Sequence, residues 1–255
     1  MKFGIVGTGN AAWHFSTMLK ANGHEPLEVF GRDSERVSVF EKEFDFSRVS
    51  SPKNFSTALD LIILAVSDDA IAEVSRQIPT GILCVHTSGS APISALAQDK
   101  MGVVWPLQTL KKGVATNYAT IPLLMEGSDA ATTEKLKAIF CPISSQVIET
   151  TSEQRATAHL AAVFANNFTN HLIEIAGGLA HSANMPFDIL RPIVLEMATK
   201  LQHSMPHDVQ TGPAIRRDES TISRHLEQLK DEPKLSHLYT LLTEHIIETF
   251  HGKKL

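Results

Sequence analysis

Two cysteines in 255 residues, Cys84 and Cys141, are too few and too far apart for a disulfide framework or a Cys-based redox or metal pair. Cys84 lies in an apolar run and reads as a small core residue. The chain also lacks a basic excess. Lys and Arg number 23 against 28 acidic residues, a net charge of −5, so neither nucleic acid nor an anionic membrane is the expected partner. No apolar run reaches the roughly 18 residues that span a bilayer. The first strand starts at Lys2 and leaves no room for a leader, so a cytoplasmic protein is expected. The 12 histidines invite a metal. Their nearest spacing, His203-x-x-x-His207, has Pro206 inside the turn that would align the rings, and no Glu completes a zinc pattern. No metal site is expected.

What the chain does have begins immediately. The apolar run Phe3–Val6 leads into Gly7-x-Gly9-x-x-Ala12, and a helical pattern follows. In a strand–turn–helix of this kind the first glycine makes the tight turn. The second lets a pyrophosphate approach the backbone, and the small third residue packs helix on strand. The helix start then presents free amides and the positive end of its dipole to the phosphates. Gly7, Thr8, Gly9, Asn10 and Ala11 are therefore expected to hold a dinucleotide.

The remainder of the first 150 residues alternates short apolar runs with helical stretches. The runs are 27–30, 61–66, 82–85, 103–105, 121–125 and 146–148, and the helical patterns are 11–21, 34–43, 69–77 and 132–140. Leu61–Val66 is apolar on both faces, as in a strand covered on each side. The expectation is an α/β, doubly wound, mostly parallel sheet over residues 1–150. Beyond Thr150 the strand pattern stops. Thr151-Ser-Glu-Gln154 has the form of a capping box and opens a long helical run to about Ala183, broken only at Gly177-Gly178. Further helices are expected over 187–201, with a kink at Pro192, and near 218–230 and 234–251. Residues 151–255 thus form an all-α domain. Leu160, Val163, Phe164, Phe168, Leu172, Ile175 and Leu179 cover more than one face of the long helix, which points to a homodimer through that domain.

Selectivity is read after the second strand. Gly31 stands where an NAD site carries a carboxylate, and Arg32 follows it. Arg32 with Ser34 can fork a ribose 2′-phosphate, which selects NADP. Asp33 reads better as an N-cap than as a ribose ligand. Ligands of such sheets lie beyond the strand carboxyl ends. There Val66 and Ser67 are expected to face the nicotinamide half, and three loops converge: Ser67-Asp-Asp69, His86-Thr-Ser-Gly-Ser90 and Trp105-Pro-Leu-Gln-Thr109. His86 is either a general acid or a buried imidazole satisfied by backbone bonds. Ser88 is a candidate ligand contact. In the long helix His159, Asn166, Asn167, Asn170 and His171 either line a cleft or pair in the core. Arg216 either binds an anionic substrate group or pairs with Asp218.

Taken together, Gly7-Thr-Gly-Asn10, Ile63-Leu-Ala-Val-Ser-Asp-Asp69, His86-Thr-Ser-Gly89, Pro106-Leu-Gln-Thr109, His159-Leu-Ala-Ala-Val163 with Asn167-Phe168, and Thr211-Gly-Pro-Ala214 with Arg216 and Asp218 resemble a family over nearly the whole chain. It is a family of two-domain proteins with a Rossmann-like N-terminal domain and a helical C-terminal domain of uncharacterised function. Its members are described as NADP oxidoreductases or deazaflavin-dependent NADP reductases. More distantly the chain is similar to pyrroline-carboxylate reductases and the 6-phosphogluconate dehydrogenase superfamily. The resemblance implies a nicotinamide cofactor, an interdomain cleft and a dimerising helical domain. Two departures stand out. The family's last motif reads Arg-Gly-Asp where this chain has Arg216-Arg217-Asp218, and no Lys stands between Glu153 and Arg191 to serve as the superfamily's helix-borne acid. If a residue there substitutes for the lysine, it is His159 or Asn167. The sequence reading is an NADP(H)-dependent oxidoreductase passing a hydride to a small carbonyl, imine or deazaflavin-type acceptor, with His86, Ser88, His159 and Asn167 as candidate catalytic residues. The alternative is a non-catalytic NADP(H)-binding regulator.

Overall fold

In the computed structural model of the chain, which describes residues 1–252, every strand expected from an apolar run is present. They are β1 (Lys2–Val6), β2 (Glu25–Phe30), β4 (Leu61–Leu64), β5 (Leu83–His86), β6 (Met101–Pro106), β7 (Leu123–Gly127) and β8 (Val147–Glu149). A further strand, β3 (Ser47–Arg48), has no apolar run to announce it and pairs only through Glu28↔Ser47 and Val29↔Arg48. The single sheet has the order β3-β2-β1-β4-β5-β6-β7-β8, parallel throughout except at β6–β7. The chain winds outward from β1 to β3 and then returns to the other side of β1 to form β4. The carboxyl ends of β1 and β4 therefore diverge at a switch point, where a crevice opens.

The Leu61–Val66 run explains why the sheet is covered twice. Leu61 and Ile63 join Phe3, Ile5, Phe15, Leu19 and Phe140 in one buried cluster. Ile62 and Leu64 join Phe55, Ile71 and Ile82 in a second cluster. A period of two sends neighbours to opposite faces, and burying each such side chain contributes about 1.5–3 kcal/mol. Helices α1 (Asn10–Ala21), α2 (Ser34–Phe44), α3 (Asp68–Ser75) and α4 (Ala130–Phe140) connect the strands.

After β8 the expected capping box forms: Thr151 Oγ1 accepts from the Gln154 amide, and Gln154 Oε1 accepts from the Thr151 amide. It starts α5 (Ser152–Ala162), which runs through a π-helical segment, Val163–Phe168, into α6 (Thr169–Ser182). Gly177-Gly178 does not interrupt α6. Glycine costs about 1 kcal/mol in a helix without forbidding it, and the bare Gly177 leaves room for Phe187, whose ring a Cβ would meet at 3.1 Å. Pro192 makes no kink either. It falls in the first turn of α7 (Arg191–Lys200), where its missing amide is not needed. Helices α8 (Pro213–Arg216), α9 (Glu219–Gln228) and α10 (Pro233–His251) complete the described chain.

By its internal contacts the chain divides into two compact units, Met1–His171 and a second from Leu172 onward. The second unit has very little core of its own. Only Ala180, Ala214 and Leu229 among its described apolar residues are buried, while Ile193, Leu195 and Met205 are 62%, 68% and 68% exposed. No helix among the described residues is long and apolar enough to cross a membrane.

Candidate functional site

The turn between β1 and α1 is built by the constraint on Gly7. Its φ is +111°, and a Cβ there would lie 2.2 Å from the Ala65 carbonyl oxygen. Only glycine fits beside β4 in that conformation. Its amide donates to the Phe30 carbonyl at 2.8 Å, so the turn is held between β2 and β4. Gly9 is the opposite case. A Cβ on it would meet nothing within 4 Å, because it faces open space. Gly9 also N-caps α1 without any side-chain cap, which leaves the first-turn amides without an internal acceptor. Ala12 is fully buried, as helix-on-strand packing requires. Free amides at the positive helix end, beside an empty approach, form a cradle for a phosphate anion.

That cradle opens into a cleft of about 470 Å³. Gly7, Thr8, Gly9, Gly31, Arg32, Val66 and Ser67 line it, together with Arg36, Pro52 and Glu73. Asn10 lies around the helix start, where its Oδ1 accepts from the Lys112 amide at 3.1 Å, and Ala11 is half-buried in the first turn. Asp33 is the N-cap of α2, accepting from the Glu35 and Arg36 amides. Ser34 does not line the cleft, and its carbonyl accepts from Arg48. A second guanidinium does line it. Arg36, one turn along α2, faces the cleft while pairing with Asp33 at 3.2 Å. Arg32 is exposed and has no ion pair among the described residues. The i, i+4 spacing of Arg32 and Arg36 just after a strand was the available sequence clue to this pair.

Of the two readings of His86, the loop after β5 fits the buried imidazole held by backbone bonds. The imidazole is fully buried and lies outside the cleft lining. Its Nε2 donates to the Pro92 carbonyl at 3.3 Å and its Nδ1 accepts from the Ser88 amide at 3.2 Å. Burial, aided by the nearby Arg155 charge, pushes its pKa down to about 4. A group that is neutral at physiological pH, with both nitrogens occupied, is not poised to donate a proton. His86 is a positioning residue for its loop. Ser88 is likewise committed to the turn, where its Oγ accepts from the amides of Ser90 and Ala91. Ser90 in turn hydrogen-bonds to Asp68 at the start of α3 and ties the loop to the cleft wall.

Beneath this loop is a buried ion pair that sequence reasoning missed. Arg155 is fully buried, pairs with Glu126 of β7 and donates to the Ala91 carbonyl at 2.6 Å; Glu126 also accepts from Ser152. A charge in the first turns of an amphipathic helix reads as solvated, and only the packing of α5 on β7 reveals otherwise. The pair locks the carboxyl-edge loop to α5.

One turn further along α5 lies a second pocket, of about 490 Å³. It is lined by Trp105, Leu107, Gln108 and Thr109 after β6 and by helix residues from Ala158 to Asn167. His159 is half-buried there, its ring 5.6 Å from that of Trp105. Both rings press on Gly89, where a Cβ would lie 2.7 Å from each. Asn166 donates from Nδ2 to Thr109 Oγ1 at 2.9 Å, and Asn167 is exposed on the same wall. The π-helical segment begins within this wall, and such irregular turns gather at functional sites. The structure thus brings His159 and Asn167 together, while His86 stays behind the loop. In the second unit, Asp218 N-caps α9 through Thr221 and Ser220, and its carboxyl lies below the usual range chiefly through those bonds. No Arg216–Asp218 ion pair forms among the described residues. Arg217 sits at φ 52°, a left-handed conformation that glycine adopts without cost. Among the described residues no group of three or more metal-ligating side chains is assembled.

Residues 121–246 match a domain of unknown function, DUF2520. No curated protein matches the chain. Among solved structures, a Bacteroides fragilis protein provisionally assigned as an NADP oxidoreductase is 34% identical, with a TM-score of 0.87 over 97% of this chain and 98% of that one. An imine reductase from Myxococcus stipitatus, solved with NADP+, is 14% identical with a TM-score of 0.67 over 99% and 96%. A 1-pyrroline-5-carboxylate reductase from Streptococcus pyogenes is 16% identical with a TM-score of 0.65 over 97% and 98%. These last two likenesses establish the fold alone.

Proposed function

The chain belongs to the same family as the Bacteroides fragilis protein, and on that premise we propose that it is an NADP(H)-dependent oxidoreductase acting on a small carbonyl, imine or deazaflavin-type acceptor. The observation that carries the reading is the Gly7–Gly9 turn, where one Cβ is sterically forbidden, the next would meet only open space, and helix amides stand free beside a cleft of dinucleotide character. A bound reduced nicotinamide would supply a hydride to the acceptor carbon, its own C–H bond breaking as the ring becomes oxidised, and the acceptor heteroatom would take its proton from His159, which water then reprotonates.

In this reading the amides from Gly7 to Ala11 hold the pyrophosphate, with Thr8 and Asn10 shaping the turn. Arg32 and Arg36 clasp the 2′-phosphate, and Ser34 contributes only at its edge. Val66, Ser67 and the Ser88 turn border the nicotinamide half. His159 is the candidate proton donor and Asn167 its polar neighbour for orienting the acceptor. Functionally the division falls after residue 150, with the helical part, 151–255, completing the site and forming a homodimer in the cytoplasm. The exposed apolar side chains of α7 support that association.

Calorimetry with NADPH and NADH tests the assignment. Tighter binding of NADPH is expected, and Arg32→Ala should weaken it about ten- to a hundredfold while leaving NADH nearly unchanged. An absence of heat with either nucleotide at millimolar concentration refutes it. A second reading, a non-catalytic NADP(H) sensor, is favoured by the sequestered His86, and binding without turnover across a panel of imines, ketones and deazaflavins would select it.

A further inference from the structure

The pocket beside α5 has a composition that bears on what the acceptor can be. None of its lining residues is Lys, Arg, Asp or Glu. Its polar groups are the amides of Gln108, Asn166 and Asn167, the Thr109 hydroxyl and the His159 ring, set among Trp105, Leu107, Val163 and small alanines. Two charges on the surrounding elements are committed elsewhere. Arg155 is fully buried against Glu126, and Lys112 pairs with Glu43 at 3.2 Å. We propose, resting on the reductase reading above, that this pocket is the acceptor site and that it takes uncharged ligands, a planar ketone or imine with an apolar body, and discriminates against carboxylates and phosphates. The Trp105–His159 wall offers a flat aromatic surface to such a body, and the side-chain amides hydrogen-bond a carbonyl or imine without demanding charge. An anion entering the same pocket sheds its hydration and finds no cation to replace it. His159 is the sole titratable side chain in the wall.

Matched pairs that differ only in the charged group test this on the full chain with NADP+ bound. Phenylacetone is compared with phenylpyruvate, and 5-methyl-1-pyrroline with 1-pyrroline-5-carboxylate. Binding is read as a change in tryptophan emission that Trp105→Phe abolishes. The neutral member should bind at least about tenfold more tightly in each pair. Gln108→Arg, which adds a cation to the exposed rim, should narrow or reverse that preference. Equal or tighter binding of the carboxylates by the native protein overturns the proposal, as does failure of either neutral ligand to bind while NADP+ does. If NADP+ itself fails to bind in calorimetry, the reductase reading falls instead, so the two failures are distinguishable.

Discussion

Acidification should destabilise this protein through one residue in particular. His86 is fully buried, and its pKa falls from 6.5 to about 4 because burial penalises the imidazolium and the Arg155 guanidinium repels it. In the unfolded chain the same ring takes up a proton near pH 6.5, whereas the native ring stays neutral until about pH 4. Between those values the unfolded state binds more protons. Stability is therefore full above the upper pKa, declines as pH falls through the window, and levels off below it. The difference of roughly two and a half pKa units corresponds to about 3 kcal/mol. His14 and His24 are also lowered by burial, so the wild-type slope alone does not isolate the effect. Urea unfolding of wild type and His86→Gln at pH values bracketing the window does. Glutamine keeps a donor for the Pro92 carbonyl but cannot titrate. The wild type should lose about 3 kcal/mol more than the variant on acidification. Parallel losses would refute the placement of a neutral, sealed imidazole at this loop and restore His86 as a solvent-coupled group.

Gly7→Ala drives a Cβ to within 2.2 Å of the Ala65 oxygen at φ +111°. It should cost about 2–3 kcal/mol and abolish NADPH binding, seen as a lower Tm and a flat titration. Arg155→Ala strands the largely buried Glu126 without its counter-charge and should cost about 3–5 kcal/mol in denaturant unfolding, whereas the double change Arg155→Met with Glu126→Leu recovers most of it. Arg217, held at φ 52°, is replaceable by glycine with stability unchanged or raised by up to about 1 kcal/mol, while Arg217→Val lowers it by about that amount or more in thermal melts.

Much of the nucleotide-binding half was legible because its signals are local. The doubly apolar Leu61–Val66 run identified a strand with two covered faces, and a glycine turn between strand and helix located the cradle. Asp33 and Thr151 were readable as caps because a short polar side chain before a helix has few other uses. Departures arose where partners distant in sequence decide. Ser47–Arg48 becomes a strand only because β2 offers an edge. Pro192 and Gly177 were read as a kink and a break, but each takes a place in the helices that tolerates it. His86 stood at the right strand end for chemistry, and its sequence left a general acid and a backbone-satisfied imidazole equally open, because the burial that decides between them comes from packing.

The order of residues by itself determined the alternation of strand and helix, the turn that needs glycine, and the guanidinium of Arg32 just after the second strand. Those features depend on backbone conformation and spacing over a few residues, which any neighbour in sequence can enforce. Only the tertiary structure decided which charges are buried and which polar side chains share a wall. Arg155 became an internal clamp, and His159 met Trp105, because β6, β7 and α5 converge from positions some thirty to fifty residues apart. Desolvation and pairing act through space, and a linear pattern carries no measure of that distance.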